Sequence, residues 1–281
     1  MALSSSYRTL ETRQVDTIAY ITFARPERRN ALTHEMMQEL TDVFRTVAND
    51  RAVRALVLRG AGGNYCAGGD IGAMAEMPPA PAPGQPDRMV PAYREFGESL
   101  LALERLPCAV ISIIDGVAVG GGFGMACCSD IVILHRSARF GIPEPKAGFI
   151  PSQILPFIVR RLGEGPIRDL AVSGRIIDAS EAFQRGLGRV ICEDEADVQR
   201  ALEEALQQVL RMEPQALGVV KRLVQSCALS GDEAVLDDAA RSLVELLRRP
   251  QARDGMKAFL SKDVPPWAVT GRQRAGQGGG A

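Results

Sequence analysis

The sequence predicts an α/β fold with a parallel sheet in its first part and helices alone in its last part. Two observations indicate this. Short apolar runs typical of buried strands alternate with helical periodicity through most of the chain, as in right-handed βαβ units. From about Asp197 the strand-like runs stop and only helical spacing continues, which marks a second, smaller lobe.

Length and composition agree with one large domain and an appendage. The 281 residues are 46% hydrophobic and 24% charged, which is enough for a sizeable core. A formal net charge of -1 argues against a nucleic-acid-binding surface. The apolar runs end well before the ~20 residues that a membrane helix needs, and the first residues lack the order of a secretory signal. We therefore expect a cytoplasmic protein with no membrane span and no nucleic-acid partner.

The cysteines predict a reducing compartment rather than a metal site. They show no C-x-x-C spacing, and the histidines His34 and His135 do not complete a ligand pattern with them. Most lie inside apolar segments, as buried free thiols do. The six are Cys66, Cys108, Cys127, Cys128, Cys192 and Cys227.

The first strand and helix are predicted within residues 15–47. Residues 15–23 alternate as one strand does, and Arg25-Pro26 ends it. Thr33 is a predicted N-cap, because apolar residues follow it at helical spacing. Those residues are Met36, Leu40, Val43, Phe44 and Val47.

A proline-rich segment separates this unit from the next one. Residues 73–93 contain six prolines and few large apolar groups, so no stable element is expected there. A helix is predicted only from Phe96 onward, followed by a buried strand over Ala109–Gly116. Two interpretations of the segment stay open: a disordered surface insertion, or a mobile wall of a binding pocket.

Two glycine-rich turns, each after an apolar strand, carry the functional signal. The first glycine turn is Cys66–Ile71 (CAGGDI), and the second glycine turn is Ala118–Gly124 (AVGGGFG). Glycine lets a substrate approach the backbone, and the helix predicted after the second turn offers unpaired N–H groups. Two converging N–H donors can stabilise a negative oxygen. Taken alone, the second turn equally fits a tight helix–strand packing contact.

The order of four motifs supplies a family resemblance. CAGGDI, DGVAVGGGFG, FGIPE and DGMKAFLSKDVPPWA follow one another between about Val15 and Trp267. Together they resemble the crotonase (enoyl-CoA hydratase/isomerase) superfamily. The resemblance implies a ββα spiral core over residues 1–196 and a C-terminal α-helical trimerisation lobe over 197–270. The glycine-rich composition of residues 271–281 predicts a disordered tail. The resemblance also implies a homotrimer or a dimer of trimers acting on an acyl-CoA thioester, with CoA as part of the substrate and no prosthetic group.

The resemblance assigns roles to individual residues. It gives the thioester oxygen to the backbone N–H groups of Gly69 and Gly121. It matches Glu144 to one of two glutamates usual in hydratases, and a carboxylate among apolar neighbours can have the raised pKa that suits proton transfer. The other glutamate position holds Gly124. Residues implied near CoA are Arg25, Arg28, Ala67, Asp70, Ile71, Phe259 and Lys262.

Five of these seven CoA contacts have a structural alternative. Arg25 and Arg28 also fit a solvated turn, and Asp70 also fits a helix N-cap. Phe259 also fits a helix core, and Lys262 a solvent-exposed position.

The missing glutamate leaves three interpretations of the activity. One glutamate can serve an enoyl-CoA hydratase if a single water supplies both hydroxide and proton, with Gln153 or Ser152 as candidates for positioning that water. One carboxylate also suffices for a Δ3,Δ2-enoyl-CoA isomerase, and the third interpretation is a catalytically degenerate acyl-CoA-binding relative. The residues after Glu144, PKAGFIPSQILPFIVRRLG, resemble hydratases of branched glutaconyl-type CoA esters, which favours the hydratase-type lyase.

Overall fold

The computed structural model describes residues 7–75 and 78–268. The chain divides into two compact units, one ending at Leu202 and the other beginning at Glu203. The first unit contains the sheets and the candidate site, and the second contains helices. The tail predicted for residues 271–281 lies outside the described residues.

Nine strands in the described residues form two sheets. The larger has the order β1-β2-β3-β4-β6-β9; only β1 and β2 are antiparallel, and the other neighbours run parallel. The smaller has the order β5-β7-β8. The strands are β1 Leu10–Val15, β2 Ile18–Phe23, β3 Ala55–Gly60, β4 Ala109–Ile114, β5 Val117–Val119, β6 Ile131–His135, β7 Arg139–Gly141, β8 Ile176–Asp178 and β9 Val190–Cys192.

Helices cover the sheets in the first unit and make up the second. Those of the first unit are α1 His34–Asn49, α2 Ile71–Ala75, α3 Met89–Glu104, α4 Gly121–Cys127, α5 Leu155–Leu162, α6 Glu164–Ser173 and α7 Ala179–Gln184. The helix α8, Glu195–Val209, contains the division between the units. Those after it are α9 Pro214–Cys227, α10 Asp232–Leu247 and α11 Pro250–Ser261.

The first predicted strand is two strands. A tight turn with Asp16 at a φ of 53° separates β1 from β2, so the expectation of one strand over residues 15–23 was wrong at its start. The N-cap prediction is confirmed, because the Thr33 hydroxyl accepts a hydrogen bond from the Met36 N–H at 3.2 Å.

The proline-rich segment contains more helix than its composition predicts. Its start forms α2, and α3 begins at Met89 rather than Phe96, so the expectation of no stable element up to residue 93 was wrong. Pro91 lies in the first turn of α3, where a proline breaks no helical hydrogen bond. Residues 78–88, between the helices, are exposed and outside regular elements.

Strand order brings the two glycine turns together. β3 and β4 are parallel neighbours, with Leu58 opposite Ser112, so their carboxyl ends lie at the same sheet edge. The first glycine turn follows β3, and the second follows β4 through the short strand β5. All six residues of β4 are buried, which fixes this edge within the core.

Candidate active site

Main-chain hydrogen bonds join the two glycine turns directly. The Cys66 N–H donates to the Val117 carbonyl at 2.9 Å, and the Val119 N–H donates to the Cys66 carbonyl at 3.1 Å. Cys66 therefore pairs with the second turn as one residue of a parallel strand would. The relative position of the turns is set by backbone rather than by side chains.

The first glycine turn is also held on its other side. The Leu32 N–H donates to the Gly68 carbonyl at 2.7 Å, and the Asp70 N–H donates to the Leu32 carbonyl at 2.9 Å. The first glycine turn therefore lies between the segment at Leu32 and the second glycine turn, and it is hydrogen-bonded to both. Neither set of bonds uses the Gly69 N–H.

The glycines are required where the two turns touch. A Cβ on Gly122 would lie 2.3 Å from the Cys66 carbonyl oxygen, and one on Gly68 would lie 3.0 Å from the Val119 carbonyl oxygen. Gly68 also has a φ of 83°, which side chains rarely adopt. The packing-contact interpretation of the second turn therefore holds for Gly122. Gly121 is packed as well, since a Cβ there would lie 2.6 Å from Cδ1 of Leu32, but it also lines a cavity.

A cavity of about 400 Å³ opens beside the turns. Gly69 and Gly121 both line it, together with Glu144. Within the part of the chain that the structure describes, neither glycine N–H donates to a protein carbonyl; that of Gly121 belongs to the first turn of α4, where intrahelical acceptors are missing. Apolar side chains dominate the remaining wall, among them Leu32, Met37, Met74, Phe96, Phe149 and Ile154.

Glu144 is a buried carboxylate facing this cavity. It starts a short 3₁₀ turn after Pro143, and its side chain packs against the second glycine turn, since a Cβ on Gly120 would lie 2.6 Å from its Oε1. The residue is 9% exposed, and its Oε2 has no hydrogen-bond partner among the described residues. Burial raises the pKa of Glu144, because the charged form loses solvation.

The position of the usual second glutamate is closed by packing. A Cβ on Gly124 would lie 2.5 Å from Cγ2 of Ile154 and 2.9 Å from its Cβ. Ile154 is 2% exposed and cannot turn away into solvent. A glutamate at position 124 would have to displace the side chain of Ile154. The presence of glycine at position 124 therefore depends on the isoleucine at position 154.

Residues implied near CoA surround the first glycine turn. Arg25 forms an ion pair with Asp70, 3.1 Å from Nη2 to Oδ2, with each side chain 18% exposed. Asp70 directly precedes α2 and lines the cavity. Arg28 and Ile71 are exposed, and Ala67 is half-buried. The structure thus gathers these residues in one region and gives Arg25 a protein partner there.

Phe259 and Lys262 belong to the second unit. Phe259 lies on α11 and is 84% exposed, so its interpretation as helix core was wrong. Lys262 ends that helix with a φ of 56° and is exposed, as its structural alternative predicts.

The proline-rich segment contributes to one wall of the cavity, which agrees with its interpretation as a pocket wall, but sequence reasoning missed that this wall is a helix. Met89, Ala92, Tyr93 and Phe96 line it from α3. Their spacing of three, four and seven residues is the helical pattern that could have revealed this face. The surrounding prolines masked that signal, because proline inside a helix is unfavourable and no helix was therefore predicted before Phe96.

Three further expectations from the sequence concern the cysteines, membrane-spanning helices and metal ligands. All six cysteines are free, and burial raises the pKa values of Cys66 and Cys127 to about 12. In residues 7–75 and 78–268, no helix is both long and apolar enough to cross a membrane. The same residues include no group of three or more His, Cys, Asp or Glu placed to hold a metal ion.

Comparison with known proteins identifies the family. The family model described as "Enoyl-CoA hydratase/isomerase" matches residues 13–270. The chain is 32% identical to the 1,2-epoxyphenylacetyl-CoA isomerase of Escherichia coli (strain K12), over 87% of this chain and 92% of that protein. It is 30% identical to a putative enoyl-CoA hydratase of Thermus thermophilus, over 88% of this chain and 96% of that protein.

Solved structures similar to this chain include a member of the same family. An enoyl-CoA hydratase/isomerase from Marinobacter aquaeolei is 38% identical, with a TM-score of 0.87 over 93% of this chain and 99% of that one. Pseudomonas aeruginosa AtuE is 38% identical, with a TM-score of 0.88 over 93% of this chain and 100% of that one. The chain belongs to the enoyl-CoA hydratase/isomerase family and has the crotonase fold. It is an enzyme of acyl-CoA metabolism.

Proposed function

We propose that this chain is an enoyl-CoA hydratase-type lyase that adds water across the double bond of a 2-enoyl-CoA thioester. The observation that carries the proposal is the presence, in one cavity, of Gly69 and Gly121, whose N–H groups have no acceptor among the described residues, and the buried carboxylate of Glu144. These are the two elements that the reaction needs: donors for an oxygen that becomes negative, and a group that moves a proton.

The two N–H groups act on the thioester oxygen. When water attacks carbon 3, electrons move onto that oxygen and give an enolate. Hydrogen bonds from Gly69 and Gly121 stabilise this charge more than they stabilise the neutral thioester. Loss of one donor in a comparable site costs about 3–4 kcal/mol of transition-state stabilisation.

Glu144 moves the protons in this scheme. Its carboxylate takes a proton from the attacking water, whose oxygen bonds to carbon 3, and then returns that proton to carbon 2 of the enolate. Burial raises the pKa of Glu144, which makes its carboxylate a better proton acceptor and so supports the first step. Ile154 beside Gly124 leaves the space of a second glutamate filled, which supports a single acid–base residue.

An isomerase is the second candidate. It is favoured by the packing of Ile154 against Gly124, because that packing leaves no space for a second glutamate at position 124. One carboxylate suffices to carry a proton from carbon 2 to carbon 4 of the acyl chain. The relative in Escherichia coli is itself named an isomerase. The resemblance of the residues after Glu144 to hydratases of branched glutaconyl-type CoA esters places the hydratase first.

The absorbance of the conjugated thioester separates these activities. Loss of absorbance with a 2-enoyl-CoA is expected for the hydratase, and gain with a 3-enoyl-CoA for the isomerase. Glu144→Gln should lower turnover by at least about 100-fold while leaving CoA affinity unchanged. Glu95→Gln, at an exposed position of α3, is the matched control. No change with either substrate would support a non-catalytic acyl-CoA-binding protein instead.

The proposal extends to CoA and to assembly. CoA would be held by Arg25, Arg28, Ala67, Asp70 and Ile71, with Phe259 and Lys262 supplied by a neighbouring copy in a homotrimer or dimer of trimers. No prosthetic group is needed, because CoA is part of the substrate. The free cysteines support a cytoplasmic location.

Exposed apolar side chains on α9, α10 and α11 support the assembly. A monomer would leave this surface in water, which is unfavourable. The residues include Val220, Val224, Leu236, Leu243, Leu247 and Phe259. Native mass spectrometry should give three or six times the chain mass, and a monomer at micromolar concentration would contradict this part of the proposal.

A further inference from the structure

Two apolar side chains lie against Gly121, one of the two glycines proposed to bind the thioester oxygen. A Cβ on this glycine would lie 3.1 Å from Cζ of Phe96 and 3.3 Å from its Cε1, so the phenyl ring packs against the glycine. The same Cβ would lie 2.6 Å from Cδ1 of Leu32. All three residues line the cavity. The N–H of Gly121 therefore has hydrocarbon beside it where the oxygen would bind.

The other proposed donor is less enclosed. Gly69 is exposed, whereas Gly121 is buried. A Cβ on Gly69 would meet only Sδ of Met74, at 2.9 Å, and that sulfur belongs to a flexible, unbranched side chain. Water can therefore reach the Gly69 N–H more easily than the Gly121 N–H.

The second half of α3 anchors the ring of Phe96. Leu100 and Leu103 follow it at helical spacing on the same side of the helix, and both are buried. Nη2 of Arg160, on α5, donates to both carboxylate oxygens of Glu104 at 2.8 and 2.9 Å. The side chains of this ion pair are only 21% and 15% exposed. The helix is thus fixed to the core directly after the ring.

The residue after Phe96 lets α3 lie close to the opposite wall. Gly97 is buried, and a Cβ there would lie 2.3 Å from Oε1 of Gln153, in the segment between Glu144 and α5. Because Gly97 has no side chain, the backbone of α3 packs directly against that segment. Packing on this side and the anchored second half together hold the ring against Gly121.

A surface that forms no hydrogen bonds has a chemical use at this point. A water molecule bound to the Gly121 N–H would compete with the substrate oxygen, and electrostatic interactions become stronger where water is excluded. The main-chain hydrogen bonds between the glycine turns already set the positions of the donors, so the ring is not needed to place them. The hydration scheme above assigns Phe96 no part.

We infer that Phe96 keeps water away from the Gly121 N–H, so that this donor binds the thioester oxygen without competition from solvent. The inference rests on the proposed function for the position of that oxygen. Phe96 acts through Gly121 and is not itself a catalytic residue. Its loss should therefore lower kcat more than it raises KM, because the hydrogen bond matters most when the oxygen is negative.

The infrared band of the thioester carbonyl tests this inference without turnover. The stretching frequency of a carbonyl falls when its oxygen accepts hydrogen bonds. Subtracting the spectrum of a complex with a ¹³C-labelled carbonyl from that of the unlabelled complex isolates the band. Acetyl-CoA and butyryl-CoA are suitable ligands, because both are saturated and cannot be hydrated.

The variants separate the polarity of position 96 from its volume. Phe96→Leu keeps an apolar cover over Gly121, Phe96→Gln has a similar volume but attracts water, and Phe96→Ala removes the cover. Phe183→Ala is the control, because Phe183 lies on α7, is 43% exposed and is not among the residues that line the cavity.

We expect Phe96→Ala and Phe96→Gln to lose at least about half of the wild-type frequency shift with both ligands. Phe96→Leu should keep most of the shift, and Phe183→Ala all of it. Dissociation constants for butyryl-CoA should change by less than about threefold, because both backbone donors remain in place. In hydration of a 2-enoyl-CoA, Phe96→Gln should lower kcat about tenfold with little change in KM.

A full wild-type shift in Phe96→Ala and Phe96→Gln would overturn the inference. A loss confined to butyryl-CoA would also overturn it, since the ring would then act on the acyl chain rather than on the donor. Absence of any shift in the wild-type chain would overturn it together with the proposed binding of the oxygen.

Turnover separates this inference from the proposed function. A chain that hydrates enoyl-CoA esters but whose carbonyl shift does not depend on Phe96 retains the activity and loses the inference. A chain whose shift depends on Phe96 but that hydrates no enoyl-CoA ester retains the inference and loses the activity.

Discussion

The two glycine turns look alike in sequence but are held in different ways. The second is buried throughout Gly120–Gly124 and continues into a core helix. The first is partly exposed at Gly69 and Asp70, and the Arg25 ion pair holds its end. The second turn thus provides a donor fixed by close packing, and the first a donor fixed by main-chain bonds and one ion pair. The difference predicts unequal tolerance to substitution.

The largest effect is expected inside the second turn. Gly122→Ala places a methyl group 2.3 Å from the Cys66 carbonyl oxygen, which is backbone and cannot move aside cheaply. We expect the free energy of unfolding to fall by about 3 kcal/mol, measured by urea denaturation. Gly165→Ala, with no atom within 4 Å of the new Cβ, should be neutral or slightly stabilising. An equally small change for Gly122→Ala would remove the proposed distinction between the turns.

A smaller effect is expected two residues further along the same helix. Gly124→Ala should cost about 2 kcal/mol, because its methyl group meets Ile154 at 2.5 Å. Ile154→Ala removes Cγ2, the nearest atom, so the double variant should be more stable than the two single changes predict, by about 1 kcal/mol. Additive losses in urea denaturation would show that Ile154 does not fill the position.

The carboxylate against the second turn gives a pH-dependent prediction. The pKa of Glu144 is raised in the folded chain, so the folded state keeps this proton to higher pH than the unfolded state does. Wild-type stability from this group therefore falls as pH rises through the raised pKa. Glu144→Gln should be more stable by about 1 kcal/mol above that range, with the difference vanishing below the ordinary glutamate pKa. Urea midpoints across pH would show it, and a constant difference would contradict it.

The smallest effect is expected in the first turn. Gly69→Ala meets only Sδ of Met74 at 2.9 Å, the flexible part of a side chain that can move. We expect a stability change within about 0.5 kcal/mol in the same denaturation assay. A loss as large as that of Gly122→Ala would mean that both turns are equally rigid.

Patterns close in sequence were enough to predict much of the fold. The strand–helix alternation, the Thr33 cap and the two glycine turns depend on neighbours along the chain, and Glu144 was found from its motif. What could not be predicted depends on tertiary contact. Ile154 faces Gly124 across thirty positions of sequence, and Gln153 meets Gly97 across more than fifty; no local pattern records such pairs.

The hydrogen bonds of Cys66 to Val117 and Val119 have a practical consequence for engineering. They belong to the main chain, so randomising side chains elsewhere leaves them in place. A library confined to the cavity-facing positions of α3 and to residues 149–153 would vary what the acyl group meets. Variants selected from it should differ in the thioester they accept while the geometry around the oxygen stays the same.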